Sequence, residues 1–152
     1  MLTTRLDFVS QDRLVFSDDV REVIAPGIDG QLGVLPKHAP LMTVLTAGEV
    51  IVKRPGQDDL YFAVSGGWME VQPNKITILA RTAERSDEID LRRAEEARAS
   101  AEKLLAEGAP RDAKSGLELA LQRSQIRLKV ARRGRWRPSG PGAMEEFGDE
   151  GK

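Results

Sequence analysis

The sequence has no cysteine and only one histidine, His38, among its 152 residues. The absence of cysteine excludes a disulfide framework, a thiolate nucleophile and a cysteine-ligated zinc site. The Gly-x-Ser-x-Gly nucleophile elbow and the Gly-x-x-x-x-Gly-Lys-Ser/Thr phosphate loop are missing as well. Adjacent glutamates such as Glu95 and Glu96 do not face each other on a helix, so they make a poor acid–base pair. We therefore predict that the chain is not an enzyme by itself.

Long apolar runs are also missing. Arg5 and Asp7 interrupt the start of the chain, as no signal peptide would allow, and no segment approaches the roughly 20 apolar residues that span a bilayer. The charges nearly cancel, with 23 Lys and Arg against 24 Asp and Glu, so no net field draws the chain to nucleic acid or to a membrane surface. These features predict a soluble protein without direct membrane insertion, whose membrane association would have to come through a partner.

The first half of the chain has the two-residue period of β-strands. Apolar residues alternate with polar ones in four runs, at Leu6 and Phe8, at Val50 and Val52, at Leu60, Phe62 and Val64, and at Ile76 and Ile78. Turn signals rich in Gly, Pro, Asn and Ser fall between them, at 55–58, 65–67 and 73–75. This pattern predicts an all-β sandwich, or flattened antiparallel barrel, over residues 1–84. We expect Trp68 to be a core anchor.

The second half has the composition of helices. Strong helix formers follow Ser86, which is a candidate N-cap, and Gly108 and Pro110 mark the end of the first helix. A second helix is predicted from about residue 111 to 133, with Leu117, Leu121 and Leu128 on one stripe. The two form a C-terminal α-helical hairpin over residues 85–133.

The hairpin is predicted to be weakly held. The apolar stripe of its first helix consists largely of alanines: Ile89, Ala94, Ala97, Ala101 and Leu104. Such a face buries little apolar area, so we expect a part that moves. Residues 134–152 are rich in Gly, Pro and charge and have no period, which predicts a disordered tail.

The stretch from Gly27 to Leu41 organises the chain, because it places three glycines and two prolines among apolar residues. Prolines exclude a long helix or central strand here, and the stretch is too apolar for a simple solvated loop. It favours a rigid loop that meets a partner. An ordinary strand–turn–strand connection is the alternative. For His38, within this stretch, we expect a backbone hydrogen bond or a subunit contact.

Two motifs in this order resemble a known family. The first is Gly-x-x-Gly-x-Leu-Gly-Val-Leu-Pro-x-His-Ala-Pro-Leu at 27–41, and the second is Phe-Ala-Val-Ser-Gly-Gly-Trp-Met-Glu-Val at 62–71. Together they are similar to the epsilon subunit of F-type ATP synthase, with the resemblance running from about Leu6 to Arg133. It implies a non-catalytic central-stalk, or rotor, subunit of the proton-translocating enzyme, which couples the catalytic head to the c-ring and regulates ATP hydrolysis.

The resemblance also implies partners and a location. The chain would bind the gamma subunit and the c-ring, and the beta subunits when its hairpin is extended. Gln31 and Leu32 would lie near the ring, and His38 and Met42 towards gamma. The protein would then be peripheral, on the cytoplasmic face of a bacterial plasma membrane.

A nucleotide site is implied by Ile89-Asp90-Leu91-Arg92-Arg93-Ala94, which is similar to the Ile/Leu-Asp-x-x-Arg-Ala pattern by which some bacterial epsilon subunits bind ATP. Asp90 would accept from adenine or ribose, and Arg93 would contact the nucleotide from the same helix face. Arg123 and Arg127, four residues apart, would hold the phosphates. The expected site comprises Glu84, Ile89, Asp90, Arg93, Ala94, Arg123 and Arg127, with ATP as a regulatory ligand and no required cofactor or metal.

The implied mechanism is a switch: the folded hairpin permits hydrolysis, and the extended hairpin, with its basic second helix, inhibits it. Two alternatives remain open at this stage. Asp90 and Arg93 are also an ordinary i,i+3 pair, so the chain is alternatively a purely structural rotor subunit without nucleotide sensing. The basic end of the second helix, including Arg135 and Arg137, would alternatively bind nucleic acid, although the sandwich offers no basic groove or aromatic platform for it.

Overall fold

The computed structural model describes residues 2–135; Met1 and residues 136–152 fall outside the description. The described residues form eight strands, a single 3-10 turn at Ser86–Glu88 and two helices. The strands are β1 (Thr4–Ser10), β2 (Leu14–Val20), β3 (Glu22–Gly27), β4 (Gly30–Val34), β5 (Leu41–Lys53), β6 (Leu60–Gln72), β7 (Lys75–Ala80) and β8 (Ala83–Arg85), and the helices are α1 (Leu91–Ala106) and α2 (Arg111–Arg135). A β-sandwich followed by a helical hairpin confirms the predicted fold class.

The sheet folds over on itself and encloses one apolar core. Its strands lie in the order β2-β1-β7-β6-β5-β3-β4, and β8 adds to β6. The pairs are antiparallel except β1 with β7, which run parallel. Side chains from both layers meet in a single cluster that includes Phe8 and Phe62, whose rings make an edge contact. The residues predicted to point inward on β1, β5 and β7, and Phe62 and Val64 on β6, are buried in it, which confirms the alternation.

The glycine pair at 66–67 was expected to mark a turn, and this prediction is wrong, because β6 runs through it from Leu60 to Gln72. Gly66 and Gly67 have φ values of +110° and +153°, which L-residues rarely adopt. They turn the strand about its own axis, so that the inward residues change from even to odd numbers, from Val64 to Met69. Trp68 therefore points outward with 55% of its surface exposed, and its predicted core role is wrong as well.

The stretch from Gly27 to Leu41 contains more regular structure than a rigid loop. Its first half completes a tight β3–β4 hairpin, in which Gly27 pairs with Gly30. β4 is an edge strand of the sheet, which fits a segment followed by prolines. A loop from 35 to 40 then leads into β5, with Lys37 at φ +63° and its N–H bonded to the Pro73 carbonyl.

The first helix begins later than predicted. Ser86 was expected to be the N-cap, but it is buried in the 3-10 turn, and Asp90 caps α1 by accepting a hydrogen bond from the Arg93 N–H. The apolar stripe also differs: Ala94 and Ala101 are buried, whereas Ala97 and Leu104 are exposed. Leu91, Arg98 and Leu105 are partly buried on the same side, so the packed face of α1 runs through Ala94 and Ala101 and leaves Ala97 and Leu104 in water. α2 extends to Arg135, so the predicted tail overlaps its end, and 136–152 lie outside the described residues.

The hairpin lies against the sandwich through a second, smaller cluster. Ala63 of β6, Ile89, and Val130 and Ala131 of α2 are buried together, with Tyr61, Leu91 and Ile126 at its border. Two of the four buried side chains are alanines, so the contact removes little apolar area from water. The weak attachment expected from the sequence stays a prediction, and the small size of this cluster is consistent with it.

Candidate functional site

Three of the seven residues predicted to bind a nucleotide meet between α2 and the sheet. Glu84 on β8 and Arg123 and Arg127 on α2 line one small cavity of about 40 Å³. The rest of its wall comes from Ala63, Val64, Ser65, Thr82 and Ile126. Arg123 and Arg127 share this cavity because residues four apart lie on one helix face. The two guanidiniums thus lie on the same side of α2, and nucleotide binding by them stays a prediction.

Arg127 is held by a carboxylate in this cavity. Its Nη2 donates a 3.0 Å hydrogen bond to Glu84 Oε2, and its Nε lies 3.0 Å from Oε1 without making a hydrogen bond of its own. Both side chains are about one-third exposed. A guanidinium that binds a carboxylate in this way also matches a phosphate. Glu84 and a ligand phosphate therefore compete for the same donor.

Asp90 and Arg93 lie at the surface, outside this cavity. Asp90 Oδ1 accepts from the Arg93 backbone N–H at 3.2 Å, and its Oδ2 is 3.9 Å from Arg93 Nε. Both side chains are largely exposed, so their free groups are available to a ligand. Ile89 and Ala94, by contrast, are buried, Ile89 in the cluster between hairpin and sandwich and Ala94 in the first turn of α1. The predicted set thus divides into a cavity trio, an exposed pair and a buried pair.

The cavity cannot hold a nucleotide as it stands. Small-molecule sites are on the order of 300–1,000 Å³, whereas this one is about 40 Å³. ATP would therefore bind only if α2 shifts and Glu84 releases Arg127.

Three arginines of α2 lie close to carboxylates in the folded hairpin. Arg127 binds Glu84 of β8, Arg132 lies 3.9 Å from Glu95 of α1, and Arg133 lies 3.5 Å from Glu49 of β5. The sequence shows these arginines as a basic block, but it does not show the carboxylates opposite them.

Glu49 is the most buried of these carboxylates. Its side chain is 5% exposed, and Oε2 has no hydrogen-bond partner. Burial raises the pKa of the Glu49 carboxyl above its ordinary range, and Arg133 and Lys129 oppose the rise. Sequence reasoning missed this residue, because an isolated glutamate in a strand gives no signal of its neighbours.

The junction between sandwich and hairpin is fixed by a two-pronged ion pair. Arg13, between β1 and β2, donates to both oxygens of Glu88 at 3.1 and 2.7 Å. This contact holds the pKa of the Glu88 carboxyl below its ordinary range. The ion pair therefore links the 3-10 turn to the sandwich, and Ile89 and Asp90 connect that turn to α1.

The four predicted partner residues lie on or beside the 27–41 stretch. Gln31 is exposed on the edge strand β4, while Leu32 beside it packs partly against the core. His38 is half-buried, with Nδ1 2.7 Å from the Ala39 carbonyl, which confirms the expected backbone contact. Met42 is exposed at the start of β5. Gln31 and Met42 are thus free to meet a partner.

A second exposed surface was not predicted. The pairings Leu14–Val9, Val9–Leu79, Leu79–Trp68 and Trp68–Val44 align five apolar residues across five neighbouring strands. We call them the outer apolar row. Leu14, Trp68 and Leu79 are exposed by half or more. A contiguous exposed apolar row of this kind is typical of a protein–protein contact.

Over residues 2–135, no three His, Asp or Glu side chains cluster closely enough to hold a metal ion. In the same part of the chain, neither helix is long and apolar enough to cross a membrane.

Comparison with protein families assigns both halves of the chain. Residues 3–86 match the model described as "ATP synthase, Delta/Epsilon chain, beta-sandwich domain", and residues 87–132 match "ATP synthase, Delta/Epsilon chain, long alpha-helix domain".

Curated proteins of similar sequence are ATP synthase epsilon chains. The ATP synthase epsilon chain of Herpetosiphon aurantiacus is 45% identical over 128 residues, which cover 84% of this chain and 93% of that protein. The ATP synthase epsilon chain of Chloroflexus aurantiacus is 47% identical over 126 residues, covering 83% and 90%.

Two solved structures are similar in fold. One is a chain of the Euglena gracilis mitochondrial ATP synthase assembly of OSCP, F1 and c-ring, with a TM-score of 0.75, 22% identity and coverage of 86% of this chain and 81% of that one. The other is a chain of the Tetrahymena thermophila mitochondrial ATP synthase central stalk and c-ring, with a TM-score of 0.60, 14% identity and coverage of 84% and 96%.

Proposed function

This chain belongs to the ATP synthase delta/epsilon family as an epsilon chain, a non-catalytic subunit of the central stalk, and from that premise we propose that its helical hairpin is a nucleotide-sensitive switch on ATP hydrolysis. The observation that carries the proposal is the folded hairpin itself. It contacts the sandwich through a small cluster centred on Ala63 and Ala131 and through arginine–carboxylate pairs. A small contact of this kind permits two states separated by little free energy.

Opening the hairpin would expose positive charge that is paired with carboxylates in the folded form. In the folded form Arg127, Arg132 and Arg133 face Glu84, Glu95 and Glu49. An extended hairpin would separate at least the pairs with Glu84 and Glu49, because those carboxylates belong to the sandwich. The released arginines would then be available to acidic segments of the catalytic beta subunits. The extended form therefore binds the head and blocks rotation, and the folded form permits it.

ATP is proposed to favour a folded form in which α2 has shifted far enough to free Arg127 from Glu84, with Glu84, Ile89, Asp90, Arg93, Ala94, Arg123 and Arg127 forming or supporting its site. The support is the cavity trio, which places two guanidiniums side by side, together with the exposed Asp90–Arg93 pair at the start of α1. ATP shifts the equilibrium only by its differential affinity for the two forms. No further cofactor is required.

Two observations favour the second candidate function, a purely structural rotor subunit. Glu84 already accepts a hydrogen bond from Arg127, and the cavity is far smaller than a nucleotide site. In that case the hairpin would fold without ligand and would not respond to ATP.

The sandwich is proposed to dock on the rotor. Gln31 and Leu32 would face the c-ring, and His38, Met42 and the outer apolar row would face the gamma subunit, which positions the protein peripherally at the cytoplasmic face of a bacterial plasma membrane. The support is the exposure of Met42 and Trp68 on the sandwich. A row of this kind gains free energy when a partner covers it.

We expect that replacing both Trp68 and Leu79 with serine weakens binding to the gamma subunit by at least about 100-fold, since two large contact side chains are lost. Isothermal titration with purified gamma measures the effect. The matched control is Leu104→Ser, an exposed leucine on α1, which should leave the affinity within about twofold. Equal affinities for the double variant and the control would show that the outer apolar row is not part of the interface with gamma.

The switch is tested by locking the hairpin. Ala63→Cys and Val130→Cys place a cysteine pair in the buried cluster, and the chain has no cysteine of its own to compete. We expect the assembled ATP synthase carrying this variant to hydrolyse ATP several-fold faster when the pair is oxidised than when it is reduced, because a locked hairpin cannot reach the head. Equal rates in the two redox states would contradict the switch and favour the structural rotor.

A further inference from the structure

Glu49 lies beneath the far end of α2, on the long strand β5. Its register partner across the sheet is Ala63, which belongs to the buried cluster under the hairpin. The side chain is 5% exposed, and Oε2 has no hydrogen-bond partner. Docking of α2 therefore covers a carboxylate that is only half satisfied.

Arg133 is the cation opposite. Its Nη2 lies 3.5 Å from Glu49 Oε1, and its guanidinium lies 5.6 Å from the centre of the Tyr61 ring, on β6. Lys129, one turn earlier on α2, is the other positive group that acts on Glu49. The arginine side chain itself remains 46% exposed. The two partners are thus unequal. The Glu49 carboxylate is buried and depends on Arg133 for a counter-charge, whereas the Arg133 guanidinium is partly solvated and does not depend on Glu49.

We propose that Glu49 makes closure of the hairpin conditional on Arg133. A buried charge is strongly unfavourable when its partner is removed. Neutralising Glu49 leaves no such charge, because the Arg133 side chain that remains is 46% exposed. Glu49 therefore does not stabilise the docked position of α2. It opposes every closed arrangement of α2 that fails to bring the Arg133 guanidinium over Tyr61, and so it selects one register of docking. This inference rests on the proposed function only in that the hairpin opens.

The difference in burial between Glu49 and Arg133 predicts an asymmetric double-mutant cycle. Arg133→Gln should raise the ratio of open to closed hairpin at least about tenfold, because Glu49 is left buried and alone. Glu49→Gln should leave that ratio unchanged or lower it. The variant with both changes should return to within about twofold of the wild type, because the opposing charge is gone. An ordinary attractive ion pair predicts a different pattern, in which either single change opens the hairpin.

The full chain without nucleotide is suited to this measurement. It has no cysteine, so Asp58→Cys on the sandwich and Glu118→Cys on α2 carry a fluorescent donor and acceptor at exposed, defined sites. Single-molecule energy transfer then gives the open fraction for each variant. The matched control is Arg132→Gln, whose partner Glu95 is exposed and 3.9 Å away, and its ratio should stay within about twofold.

A pH series adds an independent readout. Burial raises the pKa of Glu49, with Arg133 and Lys129 opposing, so the closed form binds the more protons. Lowering the pH from 7 to 5 should therefore close the hairpin, and more strongly in Arg133→Gln than in the wild type. In Glu49→Gln, the part of the pH dependence that comes from this carboxyl should be absent.

The proposal is overturned if Arg133→Gln leaves the ratio unchanged, or if Glu49→Gln opens the hairpin as much. It is also overturned if the variant with both changes is as open as Arg133→Gln, since Arg133 would then act through Tyr61 alone. Failure of the nucleotide switch is distinguishable, because ATP is absent here: a chain that ignores ATP can still give the asymmetric cycle, and a symmetric cycle leaves any ATP response intact.

Discussion

Replacement of Arg127 by alanine is expected to weaken ATP binding to the isolated chain at least about tenfold, because the change removes a charge-assisted donor from the proposed phosphate contact. Arg127 is the one residue of the cavity trio whose guanidinium is seen binding an anionic group, the Glu84 carboxylate at 3.0 Å. Isothermal titration with ATP measures the loss. Arg127→Lys keeps the charge but not the planar fork, so it should recover only part of the affinity.

The control for this prediction lies on the same helix. Arg111 is exposed at the other end of α2, outside the cavity. Arg111→Ala should leave ATP affinity within about twofold, since it removes equal charge at a distance from the site. If Arg127→Ala and Arg111→Ala bind ATP equally well, the cavity trio is not the phosphate site.

Gly67→Ala is expected to destabilise the sandwich by roughly 3 kcal/mol, the sum of backbone strain and overpacking. A Cβ there would overlap the Leu79 carbonyl oxygen and lie 2.8 Å from Ala80 Cα, and φ is +153°. The obstacles are backbone atoms of β7, which cannot move without breaking the pairing. Urea unfolding followed by far-UV circular dichroism measures the change in free energy.

Gly56→Ala separates strain from crowding. Gly56 has φ +65° but no atom within 4 Å of an added Cβ, so its substitution should cost only about 1–2 kcal/mol. The difference between the two variants reports the collision with β7. A Gly67→Ala variant no less stable than Gly56→Ala would mean that the sheet adjusts at this position.

The fold class was predictable because local periods decide it. Alternation at Leu6 and Phe8, and at Ile76 and Ile78, predicts strands with an inward face, and those residues are buried. Alternation could not reveal where a strand rotates. The two glycines before Trp68 read equally well as a turn, and only the pairing of β6 with β5 and β7 shows that the strand continues.

The candidate site was predictable only in part, for a similar reason. Spacing along a helix places Arg123 beside Arg127, because that relation is local. The carboxylates opposite α2 come from β5 and β8, and Glu84 is 43 residues from Arg127. No period in the sequence relates such positions. The outer apolar row is invisible for the same reason, since its five members come from five strands.

To learn whether the hairpin senses nucleotide, backbone amide shifts of the full chain are followed by NMR during separate titrations with ATP and ADP. We expect saturable shifts at Asp90, Arg93, Arg123 and Arg127 with ATP, and much smaller ones with ADP. Amides that stay unshifted up to millimolar ATP would contradict nucleotide sensing by the hairpin. The hairpin would then be a structural part of the rotor, and Ile-Asp-x-x-Arg-Ala would be only the start of a capped helix.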